Sequence, residues 1–222
     1  MLFELRIYRI AAGWMDAMHE RMAKLVIPLF RELGMPHPVG AWEATAGPAL
    51  PRFIWMIAWP DYAAREAGWA GFYPRWQVVR GTTTSVQFVT SIDVALVTAW
   101  PEIQIPPGSL MGASVDELWL QRIAVTQAPV ARASFLAADR KALEGAGAAM
   151  KMGFDFVSGT ELPRIGALMS WPNAAARGKA FERHETSPAV AGQRRKDMEA
   201  FGAPVFESSD RFLLAPQSYA WP

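Results

Sequence analysis

Residues 2–10 alternate, with Leu2, Glu4, Arg6 and Tyr8 on one side and Phe3, Leu5, Ile7 and Arg9 on the other. A period of two predicts a strand. Residues 14–33 instead carry Met15, Met18, Met22, Leu25, Leu29 and Leu33 at helical spacing, and Gly34 supplies a stop. Pro28 lies inside this stripe and predicts a kink or a split. Residues 38–46 and 52–59 are apolar and aromatic, with Gly47-Pro48-Ala49-Leu50-Pro51 between them, and read as a β-hairpin. Asp61 is placed to cap a helix over 62–70. A further helical stretch follows Pro74, and Thr82–Thr90 reads as the closing strand.

The order then recurs. Phe3–Ile10 aligns with Asp116–Ile123, matching Glu4 to Glu117, Leu5 to Leu118, Ile7 to Leu120, Arg9 to Arg122 and Ile10 to Ile123. Trp59-Pro60-Asp61 and Ala63-Ala64-Arg65 align with Trp171-Pro172-Asn173 and Ala175-Ala176-Arg177 at nearly the same offset. The second set predicts a strand over 117–124, a helix over 128–146, a hairpin of 152–160 and 164–171, helices from Asn173 to Arg183 and over 188–201, and a strand over 205–214. Each set is βαββαβ, the ferredoxin-like order. Such a unit covers one sheet face with helices and leaves the other bare. Two units can bury their bare faces together. The expected fold is α+β: two tandem ferredoxin-like repeats forming a pseudo-dimeric α/β barrel. Repeat one is expected over 1–99 and repeat two over 113–222. The Pro- and Gly-rich stretch 100–112 reads as a linker.

Composition narrows the function. The chain is 51% hydrophobic and 19% charged, which is a globular balance. Its net charge of +1 gives no footprint for nucleic acid. With no cysteine, thiolate metal sites, disulfides and cysteine nucleophiles are excluded. No apolar run approaches the about 20 residues of a membrane helix, and Glu4, Arg6 and Arg9 interrupt the N-terminal run, so a cytoplasmic protein is expected. Ten Trp, 12 Phe and 11 Met exceed what a small core needs and point to an apolar pocket or interface.

The first half resembles the NIPSNAP family, within the wider dimeric α/β-barrel (ferredoxin-like) superfamily. The residues that carry the resemblance are Glu4-Leu5-Arg6-Ile7-Tyr8, Ile27-Pro28-Leu29-Phe30, Gly40-Ala41-Trp42, Gly47-Pro48, Trp59-Pro60-Asp61, Ala64-Arg65-Glu66 and Trp76. The second half matches in outline only, with Trp119 in place of Arg6 and Gln121 in place of Tyr8. The resemblance implies a fold more than a reaction. Superfamily relatives include cofactor-free monooxygenases, haem-degrading enzymes, dismutases, isomerases, aldoxime dehydratases and ligand binders. Single-copy relatives dimerise to close the barrel; one chain of this length can close it alone, as a monomer or within a homo-oligomer.

If Phe3, Leu5 and Ile7 pack on the helices, Glu4, Arg6 and Tyr8 face the barrel lumen as the polar end of an apolar pocket. Arg6 would hold an anionic group or an enolate oxygen, Tyr8 would move a proton, and Glu4 would act as base or orient Arg6. A structural ion pair is the competing reading. His184 aligns with the aromatic stretch Trp69, Phe72 and Tyr73 and is a candidate acid/base, whereas His19 and His37 read as structural. Trp42, Trp55, Trp69, Phe72 and Trp76, with Trp59, are candidate walls for substrate. No metal is expected, because no two histidines share a ligand spacing. No glycine-rich phosphate loop follows a strand, which disfavours nucleotide cofactors. Composition leaves haem open. Arg194-Arg195-Lys196, beside Asp197 and Glu199, reads as a solvated face. The expected function is an enzyme acting on a small apolar or aromatic metabolite without a nucleotide cofactor, by proton transfer, lyase or cofactor-free oxygenase chemistry. The alternative is a non-catalytic binder of a hydrophobic ligand or haem, or a scaffold.

Overall fold

The computed structural model describes residues 1–83, 86–103, 106, 110–111 and 115–220. The first half runs β1 (Leu2–Ile10), α1 (Met15–Arg21), a π turn (Met22–Val26), α2 (Ile27–Glu32), β2 (Pro38–Ala46), β3 (Arg52–Trp59), α3 (Tyr62–Thr83) and β4 (Val89–Ala99). The second runs β5 (Val115–Ile123), α4 (Ala128–Ser134), a π turn (Phe135–Asp139), α5 (Arg140–Gly145), β6 (Ala149–Phe156), β7 (Arg164–Trp171), α6 (Ala174–Glu185), α7 (Pro188–Phe201) and β8 (Phe206–Pro216). A 3-10 turn, Ser218–Ala220, follows. The eight strands close in the order β1-β3-β2-β8-β5-β7-β6-β4. Cut at the β2–β8 and β6–β4 seams, this is two identically wound four-stranded sheets, so the expected pseudo-dimeric barrel is the fold.

The strand pattern fixes what fills the barrel. Phe3, Leu5 and Ile7 lie opposite Val97, Ala95 and Asp93 on β4. They join Leu118, Leu120, Leu168, Phe212 and Leu214 of the other half in one apolar cluster. An eight-stranded barrel is just wide enough to be filled by side chains, and here large apolar residues from both halves occupy it. Glu4, Arg6 and Tyr8 therefore lie on the opposite face of β1, against the helices. The expectation that they face the lumen is corrected: Phe3, Leu5 and Ile7 take the lumen, because it is the larger apolar volume to fill.

The barrel also contains a buried polar knot between the halves. Trp42 Nε1 donates to Asp116 Oδ2 at 2.7 Å, and Ser170 Oγ donates to the other oxygen. Trp42 and Asp116 are both fully buried. This bond crosses between the halves and removes Trp42 from the set of pocket walls.

Three element expectations shift. Pro28 does not break the first helix; it sits in the first turn of α2, after the π turn. The same π turn recurs at Phe135–Asp139, where Lys141 stands in place of proline, so Pro28 is not its cause. The extra residue in this turn moves the buried stripe from Leu25 to Val26 and Phe30. The helix after Asp61 does not stop near Ala70 but runs through Pro74 to Thr83, and the closing strand is Val89–Ala99, not 82–90. The β-branched run at 82–84 misled, since helix context overrides local propensity. In the expected linker, some residues lie outside the described ones; Trp100, Ile103, Leu110 and Met111 are buried. Among the described residues no helix is long and apolar enough to cross a membrane.

Trp42→Phe keeps the ring and removes the bond to a buried carboxylate. It is expected to lower unfolding free energy by about 1–3 kcal/mol in a urea titration. An unchanged midpoint would show that Asp116 is satisfied without Trp42.

Candidate functional site

In each half a buried glutamate organises the layer between sheet and helices. Glu4 is fully buried. It accepts from Arg6 Nη1 at 2.5 Å, Trp59 Nε1 at 3.0 Å, Trp69 Nε1 at 2.9 Å and Arg65 Nε at 2.9 Å. Its counterpart Glu117 accepts from Trp119 Nε1 at 2.8 Å, Trp171 Nε1 at 2.8 Å and Arg177 Nε at 3.0 Å. A buried carboxylate persists only when charge and donors surround it. Both frames meet that condition, and each ties the first strand of its half to the helix that follows the hairpin.

The halves differ in what stands beside the glutamate. In the second, the Trp119 indole fills the place and packs on Phe135 and His184. In the first, the place belongs to the Arg6 guanidinium, which lies 4.5 Å from the Trp69 ring centre and 5.5 Å from that of Trp55. Arg6 Nε donates to Tyr8 Oη at 3.0 Å. Burial alone would lower the Arg6 pKa, but Tyr8, Glu4 and Tyr73 outweigh it and raise it above the usual guanidinium range. Arg6 is a fixed cation. Burial raises the Tyr8 phenol against the opposing pull of Arg6, so it stays protonated at neutral pH. Its oxygen already accepts from Arg6, and the hydroxyl proton can rotate toward a ligand.

Arg6 and Tyr8 form the polar end of a cavity of about 150 Å³ between β1, β3, α1 and α3. Trp55, Trp69, Phe72, Tyr73 and Trp76 wall it, with Met18, Met22 and Val26 from the first helix. Phe72 and Trp76 stack with their centroids 5.8 Å apart. The Trp55 N–H is buried without a hydrogen-bond partner of good geometry, although close enough to Tyr8 to stabilise its anion slightly. Arg21 and Arg80 also line the cavity, and no Asp or Glu does among the described residues. The volume matches one aromatic ring: an engineered apolar cavity of about 150 Å³ takes up benzene.

Of the residues singled out in the sequence, Arg6, Tyr8, Trp55, Trp69, Phe72 and Trp76 come together here. Glu4 stands behind Arg6, both oxygens taken by donors. Trp59 serves the Glu4 frame, and Trp42 is in the barrel. His184 is in the other half. There its Nε2 meets Asp139 Oδ1 at 2.9 Å, and Arg194 bonds both oxygens of the same aspartate. Arg194 also stacks on Phe206 at 3.8 Å, and Asp197 is buried and accepts from Ser134. The expected solvated face at 194–199 is therefore partly a buried network. His19 bridges Tyr219 and Glu43, and His37 contacts the Pro38 carbonyl. Arg21, Arg80 and Asp139 were missed. Arg21 left a signal, a charge three residues after Met18 beside the apolar stripe.

Haem does not fit the first-half cavity, whose volume of about 150 Å³ takes one aromatic ring and not a macrocycle. In the second half the His184 Nε2 is already bonded to Asp139, and its ring packs on Trp119 at 5.1 Å. No three His, Cys, Asp or Glu among the described residues gather as metal ligands.

The NIPSNAP family model matches residues 3–101. No curated protein matches the chain. Among solved structures it is similar to a proposed monooxygenase from Lactobacillus acidophilus NCFM, at 13% identity and a TM-score of 0.51, covering 97% of this chain and 93% of that one. An anthrone oxidase-like protein matches at 16% identity and a TM-score of 0.51, over 96% of this chain and 91% of the other. Chlorite dismutase from Candidatus Nitrospira defluvii matches at 9% identity and a TM-score of 0.52, over 99% and 94%. At these identities the likeness is one of fold.

Glu4→Ala and Glu117→Ala are each expected to lower unfolding free energy by about 3 kcal/mol or more, because the first leaves two arginines and two indoles unmatched and the second one arginine and two indoles. Chemical denaturation measures both. A loss within about 0.5 kcal/mol in either, the range of an ordinary surface substitution, would show that the carboxylate does not organise its layer.

Proposed function

Starting from a match to the NIPSNAP family model over residues 3–101, in one half of a barrel that a single chain closes, we propose that this chain is a small-molecule enzyme that stabilises an oxyanion on a ring-sized substrate. The observation that carries this reading is the Arg6–Tyr8 pair at the polar end of an aromatic-walled cavity, present in one half and replaced by Trp119 and Gln121 in the other.

The roles follow from the geometry. An aromatic or similarly flat molecule enters between Trp55, Trp69, Phe72 and Trp76 and gains from apolar burial and ring contacts. An oxygen of the substrate meets Arg6 and the Tyr8 hydroxyl. A fixed guanidinium beside a protonated phenol, in a site with little water, stabilises negative charge on that oxygen. Glu4 is a positioning residue that holds the guanidinium in place. No His or carboxylate lines the cavity among the described residues, so the substrate is one acidic enough, as a phenol or an enol, to release its proton to solvent and leave its oxyanion on Arg6 and Tyr8. Arg6 favours the anion, and Tyr8 supplies or retains a proton as the charge moves. Such an anion supports proton transfer, elimination, or direct reaction with dioxygen without a nucleotide cofactor. The names of two structural neighbours, monooxygenase and anthrone oxidase-like, fall within that range.

The test begins with native mass spectrometry and an absorbance spectrum of protein purified without added ligand. Consumption of dioxygen and of substrate is then followed across a panel of phenols, enols and aromatic acids. Arg6→Met is expected to reduce kcat by about 10²–10³-fold, the scale for removing one oxyanion donor, with the circular dichroism spectrum unchanged. If ring compounds bind but none is turned over, the chain is a binder. If none binds, the cavity is not a site.

A further inference from the structure

The proposal above leaves Arg21 unexplained. It lies on α1, is 9% exposed and has a buried Nη2 with no hydrogen-bond partner. Among the described residues no carboxylate pairs with it. Its guanidinium stacks on Phe88, 3.7 Å from the ring centre. Stacking uses the face of the group and leaves its N–H edge to an anion. Burial first, and then the positive charge of Arg80, lower its pKa, so the site disfavours a bare cation. A buried cation is normally retained with a partner.

The second half shows what is missing. There too an arginine stacks on an aromatic ring beside the start of the last strand: Arg194 on Phe206, at 3.8 Å. Arg194 has its carboxylate, the fully buried Asp139, bonded through both oxygens at 2.7 Å. The repeat alignment places Val26 where Asp139 stands, and Val26 lines the first-half cavity. In the second half the anion beside the arginine belongs to the fold itself. In the first half no carboxylate takes that place among the described residues, and Arg21 lines a cavity.

We propose that Arg21 binds a carboxylate of the substrate, so that the first-half cavity selects a single-ring aromatic acid. The ring lies between Arg21 and the Arg6–Tyr8 pair, with the carboxylate on Arg21 and a second oxygen, a hydroxyl or enol, on Arg6 and Tyr8. This rests on the reading of the cavity as a ligand site and adds the substrate class. The volume limits the ligand to about one ring, and the absence of lining Asp or Glu among the described residues leaves nothing to repel an acid.

The experiment is calorimetric titration of the whole chain with 4-hydroxybenzoate and with its neutral isostere 4-hydroxybenzamide, for wild type and Arg21→Met. Wild type is expected to bind the acid about tenfold or more tightly than the amide, the scale of a charge-assisted hydrogen bond. Arg21→Met, which keeps an apolar stem against Phe88, is expected to erase that preference while amide binding stays within twofold. Equal affinity of wild type for acid and amide overturns the assignment and leaves the cavity standing as a site. Equal weakening of both ligands by Arg21→Met also overturns it, since Arg21 would then be packing alone. Should neither ligand bind wild type at millimolar concentration, this inference and the reading of the cavity fail together. The wild-type comparison needs no variant and decides the matter even if Arg21→Met does not fold.

Discussion

Everything in the helix–sheet layer depends on a carboxylate buried where water cannot reach it. An ionised group in that position is tolerated only if donors surround it. Glu4 and Glu117 each collect an indole from the end of the hairpin and an arginine from the helix beyond it. Those donors come from two elements and the glutamate from a third, so satisfying one charge fixes the first strand, the hairpin and the helix against one another. The spacing between sheet and helices is thereby set by a hydrogen-bonded knot, and apolar packing closes around it. This explains why indoles recur here: they bring a large apolar body and a single donor.

The same frame has been put to two uses. In the second half, Trp119 completes the Glu117 set and fills the space beside it, and Asp139 pairs with Arg194 and hydrogen-bonds the His184 ring within the fold. Charges there are matched internally. In the first half, Arg6 completes the Glu4 set but is shared with Tyr8, and the space beside it is left open to aromatic walls and Arg21. A preorganised cation beside a small cavity leaves the first half open where the second half is paired, and the proposed ligand site rests on that difference.

Much of this was legible. Alternation gave the strands, the apolar hairpins stood out by their turns, and the Trp-Pro repeat gave the two halves. The trio Glu4, Arg6 and Tyr8 announced itself because three polar groups on one strand face need each other. Which face was inward was not legible, since both faces of β1 are buried and alternation distinguishes the faces without ranking them. The π turns were invisible because one added residue changes phase, not composition. Pro74 looked like the break before a separate helical stretch, yet α3 runs through it. Arg21 was hidden because its meaning depends on Phe88, 67 positions away, and on the absence of an acid, which no local pattern records.

The candidate site lies outside the barrel for a geometric reason. Eight strands enclose a space that the inward side chains just fill, and the lumen here is occupied by large apolar residues and the Trp42–Asp116 bond. A void there would destabilise both halves at once, because each half contributes to the same cluster. A void between one sheet and its helices affects one half only, and the glutamate frame holds that layer apart. The fold therefore separates its tasks. The lumen carries the closure that joins the halves, and each helix–sheet layer is free to diverge, one toward internal charge pairing and the other toward a cavity with an unmatched arginine.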